Sequence, residues 1–174
     1  MSAFIFLPYQ RGDLLLFRPT KALNSILDIT PEMLHEMGIS ALFLDVDNTL
    51  TTHNNPTPIE GLTDWLDEMR AAGIKMMIVS NNHAPRVAPF AEKLGLDFTA
   101  EGAKPLPKGF SAARKKLNVP KKNICAVGDQ IFTDILGANL FGIRSIFVFP
   151  IEPETSLPFR FKRAVEKPLL PKRP

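Results

Sequence analysis

At 174 residues, 45% of them hydrophobic and 22% charged, the chain is long enough for one domain with a full core and too apolar for disorder. A net charge of +3 is too small to indicate specific nucleic-acid binding, and a single cysteine, Cys125, excludes a disulfide framework or a zinc cluster of several thiolates. No apolar run approaches a membrane span, and Met1–Leu7 has no basic residue before Pro8 interrupts it. The sequence therefore predicts neither a spanning helix nor a leader, and a cytoplasmic protein.

Residues 1 to about 38 form an arm punctuated by Pro8, Pro19 and Pro31. Leu14–Phe17 reads as a short strand or a helical turn. Thr30-Pro31-Glu32 reads as a helix start, with Thr30 capping and Pro31 in the first helical position, and Gly38 ends that helix. The arm is expected to pack on the main sheet. Arg11, Arg18 and Lys21 beside its apolar residues leave a peripheral membrane contact as the alternative, although no long amphipathic face supports it.

Ala41–Leu44 is an apolar run that reads as a strand buried on both faces. It ends in Asp45-Val46-Asp47-Asn48-Thr49-Leu50. Asn48 is expected to fix this turn by bonding its own backbone. Thr57-Pro58-Ile59-Glu60 reads as a capping box that opens a helix through Leu62, Leu66 and Met69, closed by Gly73. Lys75–Val79 is the next buried strand and ends in Ser80-Asn81-Asn82. A helix from Pro85 to Gly95 contains Pro89, which should kink or shorten it. Leu96–Thr99 is a short strand, Ala103-Lys104-Pro105 a loop, and Pro107 opens a helix with Phe110, Ala113 and Leu117 on one face. Ile124–Val127 is a strand that buries Cys125 rather than displaying a reactive thiol. Gly128–Asp134 is a polar turn, followed by a helix to Gly142 and a strand over Arg144–Phe149. Residues 158–174 carry six basic residues against Glu166 and read first as a solvated tail, with a grip on an anionic surface or a substrate phosphate as the rival.

Strand and helix alternate at least four times, which predicts a mostly parallel sheet with helices on both faces. Carboxyl ends of such strands form the ligand crevice. Three of these ends deliver Asp45 with Asp47, Ser80 with Asn81 and Asn82, and Asp129 with Asp134, and Lys104 lies in an intervening loop. Acids converging on one point repel unless a cation or a proton lies between them. The set supplies what phosphoryl transfer needs: a carboxylate nucleophile, oxygen ligands for Mg²⁺, a hydroxyl and an ammonium for the phosphoryl oxygens, and an acid for the leaving oxygen.

On these motifs the chain resembles the haloacid dehalogenase (HAD) superfamily phosphatases, of the subfamily IIIA, YqeG-like kind. That kind is related to mitochondrial and plant phosphatidylglycerophosphatases. D-x-D-x-T-L stands as Asp45–Leu50, the strand-ending serine as Ser80, the lysine before proline as Lys104-Pro105, and G-D-Q-x-x-T-D as Gly128–Asp134. The similarity covers roughly residues 20 to 165, with no departure at a catalytic position. It implies a HAD-like, Rossmann-type three-layer sandwich without a large cap. Asp45 would then be nucleophile and metal ligand, and Asp47 the general acid/base with its carbonyl on Mg²⁺. Ser80 and the Asn81 amide would hold a phosphoryl oxygen, and Lys104 would bridge phosphate and Asp45. Asp129 would bind Mg²⁺, and Asp134 would orient it. Lys108 is the rival lysine, expected at the surface. His53 and His83 follow two of the motifs and are expected as exposed loop residues rather than lining the mouth.

The gaps between motifs hold no lid domain, so the site is expected to be open unless a partner or a second copy of the chain covers it. An open site suits a large or surface-bound phosphate ester, and the resemblance suggests phosphatidylglycerophosphate. A sugar phosphate or nucleotide is the alternative substrate, and a phosphate-binding module without turnover the alternative function.

Overall fold

The computed structural model describes residues 13–174. The apolar start Met1–Leu7, Pro8 and Arg11 lie outside the described residues. Six strands form one sheet: β1 (Lys21–Leu23), β2 (Ala41–Leu44), β3 (Lys75–Val79), β4 (Asp97–Thr99), β5 (Ile124–Gly128) and β6 (Arg144–Val148). Their order is β1-β6-β5-β2-β3-β4, and every neighbouring pair is parallel. The helices are α1 (Pro31–Glu36), α2 (Leu62–Ala71), α3 (Ala84–Lys93), α4 (Lys108–Leu117), α5 (Leu136–Phe141) and α6 (Leu157–Glu166).

Successive strand residues face opposite sides of a sheet. Leu42, Leu44, Met76, Ile78, Cys125 and Val127 accordingly pack on one side, with Leu66 and Met69 of α2 and Val87 and Phe90 of α3. Ala41, Phe43, Met77, Val79 and Ala126 pack on the other, with Phe110 of α4 and Phe141 of α5. Apolar residues at successive positions of β2, β5 and the last four residues of β3 thus produce the two-sided burial that a central parallel sheet requires.

Several elements follow the sequence closely. Thr30 Oγ1 accepts from the Met33 amide with Pro31 at the helix start, and Gly38 takes a positive φ just past the end. Helix α3 starts next to Pro85 and runs on through Pro89. Both prolines are exposed, so the Pro85 carbonyl that loses a partner at Pro89 has access to water.

Four readings are corrected. The capping box at Thr57–Glu60 does not form, because its backbone is engaged elsewhere. Thr51 Oγ1 donates to the Thr57 carbonyl at 2.6 Å, the Thr57 amide donates to Asn55 Oδ1, and the Ile59 amide donates to the Leu50 carbonyl. The helix instead starts at Leu62 after Gly61, whose φ of 81° only glycine adopts freely. Lys21–Leu23, read only as part of an arm that packs on the main sheet, is itself a strand of that sheet, at its edge beside β6. Asn48 does not bond its own backbone. With φ at 59°, it turns its side chain to a distant loop, where Nδ2 donates to Glu154 and Oδ1 accepts from the Glu152 amide. Residues 158–174 are not a solvated tail, because most of them belong to α6 and a following turn over Lys167–Leu169, which fold back over the sheet's carboxyl end.

Among the described residues, no helix is long and apolar enough to cross a membrane.

Candidate active site

The central strands β2, β3 and β5 end side by side, so the residues after them share one crevice. Asp45 follows β2, and its amide still pairs with the Val127 carbonyl of β5 at 3.0 Å. The next turn is tight: the Val46 carbonyl accepts from the amides of Thr49, Leu50 and Thr51. That turn brings Asp47 back to the same crevice. Ser80 follows β3, is buried, and accepts the Asn82 amide on Oγ. Asp129 follows β5, and a single wide turn over Ile131–Ile135 brings Asp134 beside it.

Lys104 reaches the crevice from its loop because Asn81 clamps that loop by its backbone. Asn81 Oδ1 accepts the Lys104 amide at 2.7 Å, and Asn81 Nδ2 donates to the Lys104 carbonyl at 3.0 Å. The Lys104 side chain is 3% exposed, and its ammonium donates to Asp45 Oδ1 at 2.6 Å and Asp134 Oδ1 at 2.5 Å. Asp47 is held differently. Its Oδ1 accepts from the Asn54 amide and from Arg86 Nη2, and its Oδ2 from Asn82 Nδ2.

Asp45, Asp129 and Asp134 each offer an oxygen, and the three oxygens lie within 4.8 Å of one another. Asp129 Oδ1 is buried without a hydrogen-bond partner. Three hard carboxylate oxygens at this spacing, in a group where Asp129 also keeps an unsatisfied buried oxygen, fit a hard divalent cation. The charge balance agrees. Burial pushes the Asp45 carboxyl up to about 6 against the pull of Lys104. Burial also holds Asp129 well above the ordinary carboxylate range, against the pull of Arg163. Burial works against the Lys104 charge, but Asp134 and Asp45 outweigh it and keep that ammonium above the usual lysine value. Asp45, Asp129 and Asp134 carry one more negative charge than Lys104 and Arg163 balance, so this group has room for another positive charge.

A family model described as haloacid dehalogenase-like hydrolase matches residues 20–142. The chain belongs to the haloacid dehalogenase-like hydrolases. It is 38% identical over 154 residues to the "Probable phosphatase YqeG" of Bacillus subtilis (strain 168), a match covering 88% of this chain and 90% of that protein. Solved structures share the fold. A 4-nitrophenylphosphatase from Thermotoga maritima superimposes with a TM-score of 0.57 at 13% identity, over 71% of this chain and 90% of the other. An uncharacterized protein from Listeria monocytogenes serotype 4b gives 0.56 at 20% identity, over 69% and 88%.

In this hydrolase the four motifs do meet in one crevice, including Asp45 with Asp129. Lys108 is exposed, and so is His83, which pairs with Glu101. His53 departs from its expected exposure. It is half-buried and lines the cleft with its ring 5.2 Å from that of Phe159 on α6. Helix α6 covers one side of the crevice and leaves it open on the other. The cleft that remains is ≈ 170 Å³, with Phe159 and Lys162 of α6 on its wall. Lys162 Nζ donates to Gln130 Oε1 of the fourth motif.

Two site residues were not found from the sequence. Arg86 reaches Asp47 from α3 at 3.1 Å. Arg163 reaches the Asp129 carboxylate from α6. The usable signal for both was arithmetic: Asp45, Asp47, Asp129 and Asp134 face one motif lysine, and buried carboxylates need partners.

Proposed function

We propose that this hydrolase, a single domain over 1–174, is a Mg²⁺-dependent phosphomonoesterase that works through an aspartyl-phosphate on Asp45. The observation that carries the reading is the Lys104 ammonium, hydrogen-bonded to both Asp45 and Asp134 beside buried Ser80. The likeness to a protein named as a phosphatase supports it.

In the proposed reaction Asp45 attacks phosphorus in line. A bond forms from its carboxylate oxygen to phosphorus, and the bond from phosphorus to the ester oxygen breaks. Asp47 gives its proton to that departing oxygen. Asp47 then takes a proton from water, the water oxygen attacks phosphorus, and the acyl phosphate bond breaks to release phosphate and restore Asp45. Ser80 and the Asn81 amide hold phosphoryl oxygens, and Lys104 bridges the phosphate and Asp45. Asp45, Asp129, Asp134 and the Asp47 carbonyl would hold Mg²⁺, which offsets the repulsion between an anionic nucleophile and an anionic ester.

The cleft suits a phosphoryl group and the first atoms of a leaving group, and anything larger extends past Phe159. Leu157, Phe161 and Val165 are exposed on the same helix. That adjacency supports an ester presented at a lipid surface, with phosphatidylglycerophosphate as the proposed substrate and peripheral membrane contact as the setting. The test is phosphate release from phosphatidylglycerophosphate in vesicles and from soluble sugar phosphates and nucleotides, with Mg²⁺ and with EDTA. The expected result is Mg²⁺-dependent release, fastest from the lipid, and lost by roughly a thousandfold or more in Asp45→Asn. Full activity in that variant overturns the covalent mechanism. Preference for soluble esters overturns the lipid substrate, and phosphate binding without turnover makes the chain a binding module.

A further inference from the structure

The fourth motif ends at Asp134, yet the residue most tightly engaged with Asp129 lies well beyond it, on α6. Arg163 is 18% exposed in its side chain. Its Nη2 donates to Asp129 Oδ2, and its Nη1 donates to the Asp129 backbone carbonyl at 2.6 Å. One planar guanidinium thus grips a single residue by side chain and main chain together, which fixes the carboxylate's rotation.

The guanidinium is itself held in place. Nη2 donates to Glu154 Oε1 and Nη1 to Glu166 Oε2, each at 3.2 Å. Glu154 accepts from Asn48 of the first motif, and fully buried Glu166 accepts the Phe132 amide within the fourth motif at 2.9 Å. Arg163 therefore sits in a frame that ties α6 to both acidic loops.

The grip takes one oxygen of Asp129 and leaves the other. Oδ1 remains buried without a partner. Among the described hydrogen bonds, Asp45 and Asp134 take Lys104 rather than Arg163, so the guanidinium lies outside the group of three carboxylates and not at its centre.

We propose that Arg163 is a positioning residue for the cation: it fixes Asp129 with Oδ1 free for the metal, which makes α6 part of the metal site. This rests on the reading of Asp45, Asp129 and Asp134 as cation ligands. An arginine that competes with the cation would give the opposite result on removal, so the sign of the effect decides.

The experiment is calorimetric titration of the full chain with Mg²⁺, and with Mn²⁺ read also by its electron paramagnetic resonance signal, for wild type, Arg163→Gln and Arg163→Lys. Thermal midpoints are taken in EDTA to isolate any purely structural effect. Removing groups that orient metal ligands weakens binding roughly 10- to 100-fold, and that is expected for Arg163→Gln. Arg163→Lys keeps the charge but cannot grip both atoms, so an intermediate affinity is expected. Unchanged or tighter binding by Arg163→Gln overturns the proposal, including the case where its EDTA midpoint falls while affinity holds. If Arg163→Gln does not fold, Arg163→Lys decides: weaker binding supports the proposal, and wild-type or tighter binding overturns it. A wild type that binds neither metal overturns the cation site itself, an outcome separate from equal binding by all three proteins.

Discussion

Lys104 Nζ stands 2.6 Å from Asp45 Oδ1 and also reaches Asp134, so one buried ammonium joins the acids after two different strands. Replacing it by an apolar isostere leaves two neighbouring carboxylates without their shared cation. Breaking a buried pair in this way costs about 3–5 kcal/mol. Lys104→Met is expected to lower the urea midpoint at pH 7 and to remove phosphate release. The stability gap to wild type is expected to narrow at acid pH, where protonation neutralises the stranded acids.

Gly128 is the last residue of β5, and a Cβ there would fall 2.7 Å from Asp134 Cβ and 2.6 Å from Asp134 Oδ2. Cβ is anchored to the backbone and the side chain is buried, so Asp134 must move. Gly128→Ala is expected to destabilise by about 1–3 kcal/mol, as overpacking does. It is also expected to weaken Mg²⁺ binding in calorimetry, because Asp134 leaves its place. Gly73→Asn serves as the control. A Cβ at Gly73 meets nothing within 4 Å, and asparagine tolerates its positive φ.

The metal-free protein has a legible pH dependence. Asp45 stands at about 6 against an ordinary 3.8, and Asp129 is raised as well, both chiefly by burial. Below the ordinary value these groups are protonated folded and unfolded, and contribute nothing. As pH rises further the unfolded chain gives up its protons first, so the folded state binds more protons and loses stability. The urea midpoint in EDTA is expected to carry a falling contribution from Asp45 between about pH 4 and pH 6. Asp45→Asn is expected to flatten it.

Cys125 is fully buried in β5, and burial pushes its thiol up to about 12. The thiolate is the reactive form, so the native protein is expected to resist iodoacetamide at pH 8. The urea-unfolded chain is expected to be alkylated within the same period, with mass spectrometry as the measurement. Rapid labelling of the native protein would show that β5 opens.

The elements legible in the sequence are those whose signal is local. Ala41–Leu44, Met76–Val79 and Ile124–Val127 are apolar at every position, and strands alternating with helices bury such runs on both faces in the middle of a parallel sheet. Once they are adjacent, Asp45, Ser80 and Asp129 must meet at one end, and the crevice follows from strand order alone. The elements that escaped depend on distant partners. Thr57 has the residues of a capping box but not the freedom, because Thr51 and Asn55 already hold its backbone. The three residues of β1 carry too little pattern to identify without β6 beside them. In α6, Arg160, Lys162 and Arg163 look alike as sequence. Only the fold distinguishes the exposed Arg160 from Arg163, which is enclosed by Asp129, Glu154 and Glu166.

Strand β1, which pairs with β6, lies near the start of the described chain, and the helix that grips Asp129 lies near its finish. During synthesis the acidic pocket therefore cannot be completed early. Asp45 emerges from the ribosome long before Arg163, which contacts the neighbouring Asp129. A half-made chain, or one clipped after β6, would carry all four motifs and still lack Arg163. Proteolytic trimming of the last helix would thus remove the partner of Asp129 without touching a single motif residue.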